Sequence, residues 1–231
     1  MAEPSLLLTG LFVALLLLTL GGALSGVARW SPKLDAASAA IALTLWLTAT
    51  GALAQLGVMQ NWQSFPPPAV LVFTTGLLAT VLISRMRWAK AFAVNAPIAF
   101  LVGFQAFRLP LELIMHHAAN EGVMPIQMSF SGQNFDILTG ALAVVIGGLA
   151  LVREVPRPLL WVFTGVGLGL LINIVTIAVR SMPVIAAYGP TQLNLWVTIV
   201  PFVWLPTIFV TLALFGHLLL IERLRKPPSA E

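Results

Sequence analysis

The sequence of 231 residues contains no cysteine, so disulfide bonds, thiolate metal sites and cysteine nucleophiles are excluded. Charged residues are also scarce. They make up 9% of this chain, against about a quarter of an ordinary soluble domain. The basic residues form no cluster of the kind that binds nucleic acid. In contrast, 59% of the residues are hydrophobic. This composition predicts an integral membrane protein whose main partner is the lipid bilayer.

Apolar runs along the chain are separated by polar or proline-rich breaks, and each run is close to the ~20 residues that a helix needs to cross a bilayer. We therefore predict an all-α fold, a single transmembrane bundle over residues 1–231. The first run has no positive charge before it, and Glu3 is acidic, so we expect a retained helix rather than a signal peptide. The seven predicted helices lie at about 5–26, 37–57, 68–85, 90–117, 136–152, 159–180 and 193–221.

The distribution of positive charge predicts the orientation of these helices. In bacterial membranes, loops rich in Lys and Arg stay in the cytoplasm. Ten of the twelve basic residues fall in alternate loops or in the C-terminal tail: Arg29, Lys33, Arg85, Arg87, Lys90, Arg153, Arg157, Arg223, Arg225 and Lys226. Seven spans in a bacterial cytoplasmic (inner) membrane, with the N-terminus outside and the C-terminus in the cytoplasm, account for this pattern.

One stretch, "FRLPLELIMHHAANEGVMPIQMSFSGQNFD", from Phe107 to Asp136, gathers an Arg, two Glu, two His and an Asp. Arg108, Glu112 and His116 are spaced by four residues, which predicts one helix face. Pro110 lies between the first two and should kink the helix or split off a short piece. The following residues, 118–135, are predicted to form an extracytoplasmic loop or lid.

The fifth predicted helix begins near Asp136, where Asn134 or Asp136 is placed to cap it. The sixth should carry Arg180 to the same outer level. Buried ionisable groups in membrane spans usually mark a functional site. We therefore predict an outward-facing polar pocket between helices 4, 5 and 6, with ligand-binding residues Arg108, Glu112, His116, Asn134, Asp136 and Arg180. The alternative is architectural, with Arg108 and Glu112 forming an ion pair and Asp136 only capping a helix.

We expect no metal and no cofactor. His217 should lie ~36 Å along the seventh predicted helix, near the cytoplasmic face. At that depth it cannot join His116 in a metal site, whose ligands must lie ~2 Å from one ion. A retinal pigment is excluded as well, because it needs a lysine in the middle of the last helix. The three lysines here all fall in predicted cytoplasmic segments: Lys33, Lys90 and Lys226.

The stretch from Phe107 to Asp136, together with "VWLPTIFVTLALFGHLL" near the C-terminus, resembles a group of uncharacterised bacterial seven-helix membrane proteins. The resemblance covers most of the chain. It implies a seven-helix membrane protein and brings no activity with it.

Three functions remain open from the sequence. The first is binding or transport of a small solute, an anion attracted by Arg108 and Arg180 or a proton exchanged by a Glu–His pair. The second is a membrane-embedded enzyme acting on a lipid or another apolar substrate. Its catalytic groups would be Glu112, His116 and Asp136, with Ser129 or Ser131 as a candidate nucleophile. The third is a structural or accessory subunit. The oligomeric state is not predicted.

Overall fold

The computed structural model describes residues 2–225, and within this range all regular structure is helical, with no strands. The predicted all-α class is therefore confirmed. The α-helices of the described residues are α1 (Leu6–Trp30), α2 (Ala36–Gln55), α3 (Pro68–Ser84), α4 (Arg87–Asn95), α5 (Ile98–Gly103), α6 (Arg108–Asn120), α7 (Ile137–Val152), α8 (Arg157–Arg180) and α9 (Val210–Arg225).

Five or six helices in this part of the chain are long and apolar enough to cross a membrane. The five long ones are Leu6–Trp30, Ala36–Gln55, Ile98–Asn120, Arg157–Arg180 and Leu205–Arg225. A sixth is possible if α3 and α4, which are bent by 68° at their junction, form one span. The α7 helix is apolar but has only 16 residues. An integral membrane protein is thus supported, while the count of seven spans stays a prediction.

The fourth predicted helix, 90–117, is wrong in its first part. The helix that includes Lys90 ends at Asn95, and a new helix begins after Pro97. The residue before a proline is driven out of the α region by the proline ring, and Ala96 has the extended dihedrals φ −68° and ψ 136°. As a result, α4 is a separate short helix that buries Ala89, Phe92 and Ala93 and leaves Lys90 exposed.

Pro110 distorts the helix locally but does not break it. The four residues Phe104–Phe107 form a 3₁₀ turn between α5 and α6, and the helix is otherwise continuous from Ile98 to Asn120. Pro110 has no N–H to donate to the carbonyl of Ala106, and its ring crowds that carbonyl. The turn tightens, but the span does not split at this point.

The seventh predicted helix, 193–221, begins about twelve residues later than expected. Residues 193–204 form a loop with one 3₁₀ turn at Trp196–Thr198, and helical structure starts with a π-helical turn at Leu205–Phe209. Pro201 and Pro206 both lack the donor that a regular helix requires. This shift changes where every residue of α9 lies relative to the rest of the bundle.

One end of the bundle, here called the basic end, comprises residues 29–35, 85–97, 152–157 and 222–225. Asn95 Nδ2 donates to the carbonyl oxygen of Trp30 at 3.4 Å, and Arg223 donates to the carbonyl of Val94. Arg157 donates to the carbonyl of Leu224. The loops whose basic residues suggested the orientation therefore meet at this end. Lys226, the tenth of those residues, lies outside the described residues.

The opposite end, here called the loop end, comprises residues 2–5, 121–136 and 181–204. Ser5 Oγ donates to Glu121 Oε1 at 2.6 Å and Ser5 N to Glu121 Oε2 at 3.0 Å, which fastens the start of α1 to the end of α6. These bonds hold the pKa of Glu121 below its usual value of 4.5. Gln127 Nε2 donates to Ser181 Oγ at 2.9 Å and ties the two long loops together.

Glycines set the spacing between α7 and the α5–α6 helix. A Cβ atom on Gly147 would lie 2.8 Å from Cα of Gly103, and one on Gly140 would lie 2.3 Å from the backbone nitrogen of Leu109. Small residues allow such close approach of helices in membranes. The contact at Gly140 brings the start of α7 against the start of α6.

Candidate functional site

The centre of the polar cluster is an ion pair between the first residue of α6 and the residue that precedes α7. Arg108 Nε donates to Asp136 Oδ2 at 2.7 Å, and Nη2 donates to Oδ1, so the pair is bidentate. Only 1% of Arg108 and 5% of Asp136 are exposed. Two-bond Arg–carboxylate pairs fix geometry as well as charge. The positive charge of Arg108 is therefore compensated inside the bundle.

The other side of the guanidinium group faces α8 and α9. Arg108 Nη1 donates to His217 Nε2 at 3.0 Å, and Nη2 also reaches the carbonyl oxygen of Gly167 at 3.4 Å. A Cβ atom on Gly167 would lie 2.3 Å from His217 Cε1 and Nε2. The absence of a side chain at Gly167 is what leaves room for the imidazole. Four helices thus meet at one arginine.

The prediction that His217 lies near the cytoplasmic face is wrong, because His217 is fully buried at this junction. The predicted depth assumed a helix starting at residue 193. With helical structure starting at Leu205, His217 is only 12 residues along it, or about 18 Å. Since arginine can only donate, Nε2 accepts, and a neutral imidazole then carries its proton on Nδ1. Within the described residues Nδ1 has no hydrogen-bond partner.

Glu112, one turn beyond Arg108, is 2% exposed and is held by an amide rather than by a cation. Asn134 Nδ2 donates to both of its carboxyl oxygens at 2.8 Å. The predicted alternative, an Arg108–Glu112 ion pair, does not form: among residues 2–225 no cationic nitrogen lies within 4 Å of Glu112. The arginine prefers Asp136 because α7 lies directly against the start of α6.

Asn134 connects the carboxyl group of Glu112 with the backbone of Asp136. Its Oδ1 accepts from the backbone N–H of Asp136 at 3.1 Å, while its Nδ2 also donates to the carbonyl oxygen of Met128 at 3.1 Å. Asp136 occupies the cap position of α7 but does not cap it with its side chain. Its Oδ1 instead accepts from Thr139 Oγ1 at 3.1 Å, in addition to Arg108. The predicted capping function is thus replaced by the ion pair.

His116 lies further along the same face of α6, at the loop end. Its Nδ1 is 2.8 Å from Ser131 Oγ and 3.0 Å from Ser129 Oγ, and its Nε2 is 3.2 Å from the side-chain amide of Asn120. The ring stacks on Phe130, with centroids 4.4 Å apart. In contrast to Glu112, this histidine is only partly buried, and Ser131 is exposed. His116 therefore connects the cluster side of α6 with the surface.

The loop after α6 folds inward over this region. Met128, Ser129 and Asn134 are fully buried, and a 3₁₀ turn at Ile126–Met128 is the only regular element between α6 and α7. A Cβ atom on Gly132 would lie 2.3 Å from the carbonyl oxygen of Ile126, so the loop doubles back tightly on itself. The predicted loop 118–135 begins in the last turn of α6, which ends at Asn120. Its remaining residues supply Asn134 to the cluster and cover the side of the cluster that faces the loop end.

Arg180 is not part of the cluster, so the predicted meeting of Arg108 and Arg180 is wrong. Arg180 is exposed at the end of α8, with its guanidinium carbon 5.3 Å from the ring centroid of Tyr188. Gly167, which contacts Arg108, lies 13 residues earlier on α8, a separation of about 20 Å. The sixth predicted span is long enough that its last turn passes well beyond the level of the cluster.

Sequence reasoning missed Gln105, which lies in the 3₁₀ turn before α6 and is fully buried. Its Nε2 donates to the carbonyl oxygen of Ala213 at 3.1 Å, and its Oε1 has no partner within the described residues. The spacing could have revealed it. Five polar residues follow one helix face at intervals of three or four, here called the polar stripe: Gln105, Arg108, Glu112, His116 and Asn120.

The two best-formed cavities of the described residues lie elsewhere. One, of about 470 Å³, is lined at the basic end by residues that include Arg153, Arg157 and Arg223. The other, of about 390 Å³, is apolar and lies between α1, α2, α3 and α9. No residue of the polar stripe lines either of these two cavities. Within residues 2–225, no three His, Asp or Glu side chains converge as metal ligands would.

The evidence on function comes from the geometry of this cluster. No protein-family model matches the chain, and no curated protein and no solved structure is detectably similar to it. The resemblance to uncharacterised bacterial seven-helix proteins stays a prediction.

Proposed function

We propose that the chain is a seven-span protein of the bacterial inner membrane that binds protons on Glu112 and relays them along the polar stripe, as part of transport. The N-terminus would lie outside and the basic end in the cytoplasm. Nine described Lys and Arg residues lie at the basic end, which supports this orientation.

Two short helices fit this topology. The α7 helix has 16 residues and α3 has 17, corresponding to about 24 and 26 Å. Short hydrophobic stretches are accommodated by local thinning of the bilayer and by flanking polar residues that reach the interface. Arg153 follows α7, and Arg85 follows α3. On this reading α4 is an interfacial helix rather than part of a span.

The observation that carries the proposal is the environment of Glu112. A carboxylate away from water is costly unless a cation or several donors compensate it. Among residues 2–225, the only side chain that donates to Glu112 is Asn134, and Arg108 is already paired with Asp136. A carboxyl group in such a place is well suited to take up and release a proton, and ionisable groups inside membrane spans commonly form proton relays.

Proton binding fits the cluster better than binding of an anion. An anion site needs positive charge that is not already neutralised. Arg108 is neutralised by Asp136, and Arg180 lies about 20 Å further along the bundle from the contact of α8 with Arg108. The anion site predicted from the sequence therefore lacks its two cations, whereas Glu112 and His116 still lie one turn apart on the same face of α6.

The polar stripe gives a route. From Gln105 to Asn120 it covers 15 residues, or about 22 Å of helix. His116 meets the surface through Ser131, and Glu112 lies one turn deeper. Arg108 and Asp136 supply a fixed charge pair beside it, and the unpartnered Nδ1 of His217 and Oε1 of Gln105 lie on the inner side.

Proton flux into vesicles tests the proposal. Purified protein is reconstituted into liposomes with a trapped pH-sensitive dye, and a potassium gradient with valinomycin drives the flux. Glu112→Gln removes the titrating group, keeps the shape and retains an oxygen that can accept one of the two bonds from Asn134. We expect the flux to fall at least tenfold, to the level of empty liposomes.

The matched control is Glu121→Gln, which removes a carboxylate at the loop end that is outside the polar stripe. It should conduct protons as the wild type does. Equal flux in wild type and Glu112→Gln would reject the proton relay. If the wild type carries no flux and Glu112→Gln only lowers thermal stability, the cluster is architectural, as expected of an accessory subunit.

A second candidate function, an enzyme at the loop end, is favoured by one observation. Ser131 Oγ lies 2.8 Å from His116 Nδ1, and Asn120 contacts the other ring nitrogen. A hydroxyl, an imidazole and an orienting amide in contact are the parts of an activated nucleophile. Asp136 and Glu112 are held by other partners and do not contact His116, so the acid–base roles predicted for them are not supported.

A fluorophosphonate probe tests this alternative. Such probes label activated serine hydroxyls covalently. Labelling of the wild-type protein that is lost in Ser131→Ala and kept in Ser64→Ala, a control at an exposed loop serine, would establish the nucleophile. Absence of labelling in the wild type would exclude it.

A further inference from the structure

The apolar cavity is a gap between helices that follow one another in the chain. The α2 and α3 helices make little direct contact, and the space between them is backed by α1, the α5–α6 helix and α9. Its volume is about 390 Å³, within the range of small-molecule sites. Ala42, Thr75 and Ile83 line it and are exposed, so the cavity reaches the lipid-facing surface. Its aromatic lining residues are Trp46, Trp88, Phe92, Phe100, Phe104 and Phe215.

The polar atoms of the lining are mostly used within the protein. Thr80 Oγ1 donates to the carbonyl of Gly76 at 2.8 Å, and Thr207 Oγ1 to that of Val203 at 2.8 Å. Thr211 Oγ1 donates to the carbonyl of Thr207 at 3.0 Å, and Trp46 Nε1 donates to the same carbonyl at 3.0 Å. An occupant would meet a surface of methyl groups and rings. The chemistry that fits is a hydrocarbon chain.

Three basic residues are close in sequence to residues that line the end of the cavity nearest the basic end. Leu34, Ile83 and Trp88 line the cavity there. Lys33 precedes Leu34, Arg85 follows Ile83 by two residues, and Arg87 precedes Trp88. These three cations are exposed, and none has a side-chain partner within the described residues.

One acidic residue, Asp35, belongs to the same end of the cavity, here called the rim. Asp35 is the only acidic residue of 29–35 and 83–92. Its carboxylate caps α2, accepting from Ser38 N at 2.8 Å and from Ser38 Oγ at 2.8 Å. The bond from the backbone N–H of Ser38 holds its pKa below the usual value. The balance of charge at the rim stays positive, with Lys33, Arg85 and Arg87 against one aspartate.

We propose that this cavity binds an anionic glycerophospholipid, with an acyl chain between α2 and α3 and the phosphate at Lys33, Arg85 and Arg87. Basic pockets between spans that hold acidic lipid headgroups are a known form of lipid recognition. The inference needs only a membrane protein and is independent of the proton relay.

The experiment is native mass spectrometry of the full-length protein, titrated in detergent with phosphatidylglycerol or phosphatidylcholine of identical acyl chains. We expect phosphatidylglycerol to bind at one site at least tenfold more tightly than phosphatidylcholine. The rim variant Lys33→Gln/Arg85→Gln should bind it roughly 10- to 30-fold more weakly, since each basic residue near a headgroup contributes on the order of a fivefold factor.

Two controls separate this site from general surface charge. Arg153→Gln/Arg225→Gln removes the same charge from the same end, away from the cavity, and should bind as the wild type does. Ala79→Phe fills the cavity without changing charge and should lose binding, whereas Leu78→Phe, at an exposed position of the same helix, should not. Glycerol phosphate, which has no acyl chain, should fail to displace the lipid.

Clear outcomes would overturn the proposal. Equal binding of the two lipids, or equal loss in the rim and control double variants, would show only nonspecific charge. Binding retained in Ala79→Phe, or displacement by glycerol phosphate, would show that the headgroup binds without the cavity. Gel filtration of each variant checks that loss of binding does not reflect loss of the fold.

Discussion

Two helices that are long enough to span a membrane, α2 and the α5–α6 helix, differ in how deeply they are buried in the bundle. Both are apolar enough to cross a bilayer. In an apolar stretch of 18 residues of each helix, however, only 11% of the α2 stretch is buried, against 50% of the stretch in Ile98–Asn120. The α5–α6 helix carries the buried charges, and α2 carries none in its interior. Charged groups must be enclosed, so the helix that carries them is packed against α7, α8 and α9, while most of α2 is exposed on the outside of the bundle.

The largest expected effect comes from breaking the enclosed ion pair. Arg108→Met leaves Asp136 buried without its cation, which should lower the free energy of unfolding by about 3–5 kcal/mol. The measurement is equilibrium unfolding in detergent micelles. The double variant Arg108→Met/Asp136→Asn should recover much of the loss, because the uncompensated charge is removed. A single variant as stable as the wild type would mean that the pair does not form.

The next largest effect is expected from a leucine-to-alanine substitution in the buried α5–α6 helix, compared with the same substitution in α2. Leu101 is 2% exposed on the α5–α6 helix, and Leu45 on α2 is 66% exposed. Leu101→Ala should lower stability by about 2–5 kcal/mol, and Leu45→Ala by roughly 0.5 kcal/mol or less. Equal losses in the same unfolding assay would show that α2 is packed against a partner rather than lipid.

A smaller effect is expected at the glycine that makes room for His217. Gly167→Ala places a Cβ atom 2.3 Å from the imidazole, and overpacking of this kind costs roughly 1–3 kcal/mol. Gly165→Ala and Gly169→Ala are controls on the same helix, since a Cβ atom at either position meets nothing within 4 Å. Thermal unfolding of the three variants distinguishes a tight contact from a general effect of alanine.

The smallest effect concerns Glu121, a partly buried carboxylate at the loop end. The pKa of Glu121 is lowered by its bonds with Ser5, so its contribution to stability is present above the unfolded value of about 4.5. It disappears as the pH falls through the lower, folded value. Glu121→Gln should therefore have a lower melting temperature than the wild type at pH 7, and the difference should shrink at acidic pH. A difference independent of pH would point to another cause.

Local pattern predicted much of the fold because it depends on each segment and its solvent. The length of the apolar runs, the proline breaks and the position of Asp136 at the start of α7 follow from the chemistry of single segments. The failures were local too. The loop before the last helix is as apolar as a span, so composition predicts a start at residue 193, whereas helical structure begins at Leu205.

The sequence by itself determined that this is a helical membrane protein, that its basic loops are suited to one end, and that Arg108, Glu112 and His116 share a helix face. Only the tertiary structure decided the partners: Asp136 rather than Glu112 for Arg108, His217 inside the cluster, and Arg180 outside it. The reason is physical. Periodicity fixes which residues share a face, but the approach of two faces depends on glycines such as Gly140 and Gly167 on different helices, and no local pattern encodes that meeting.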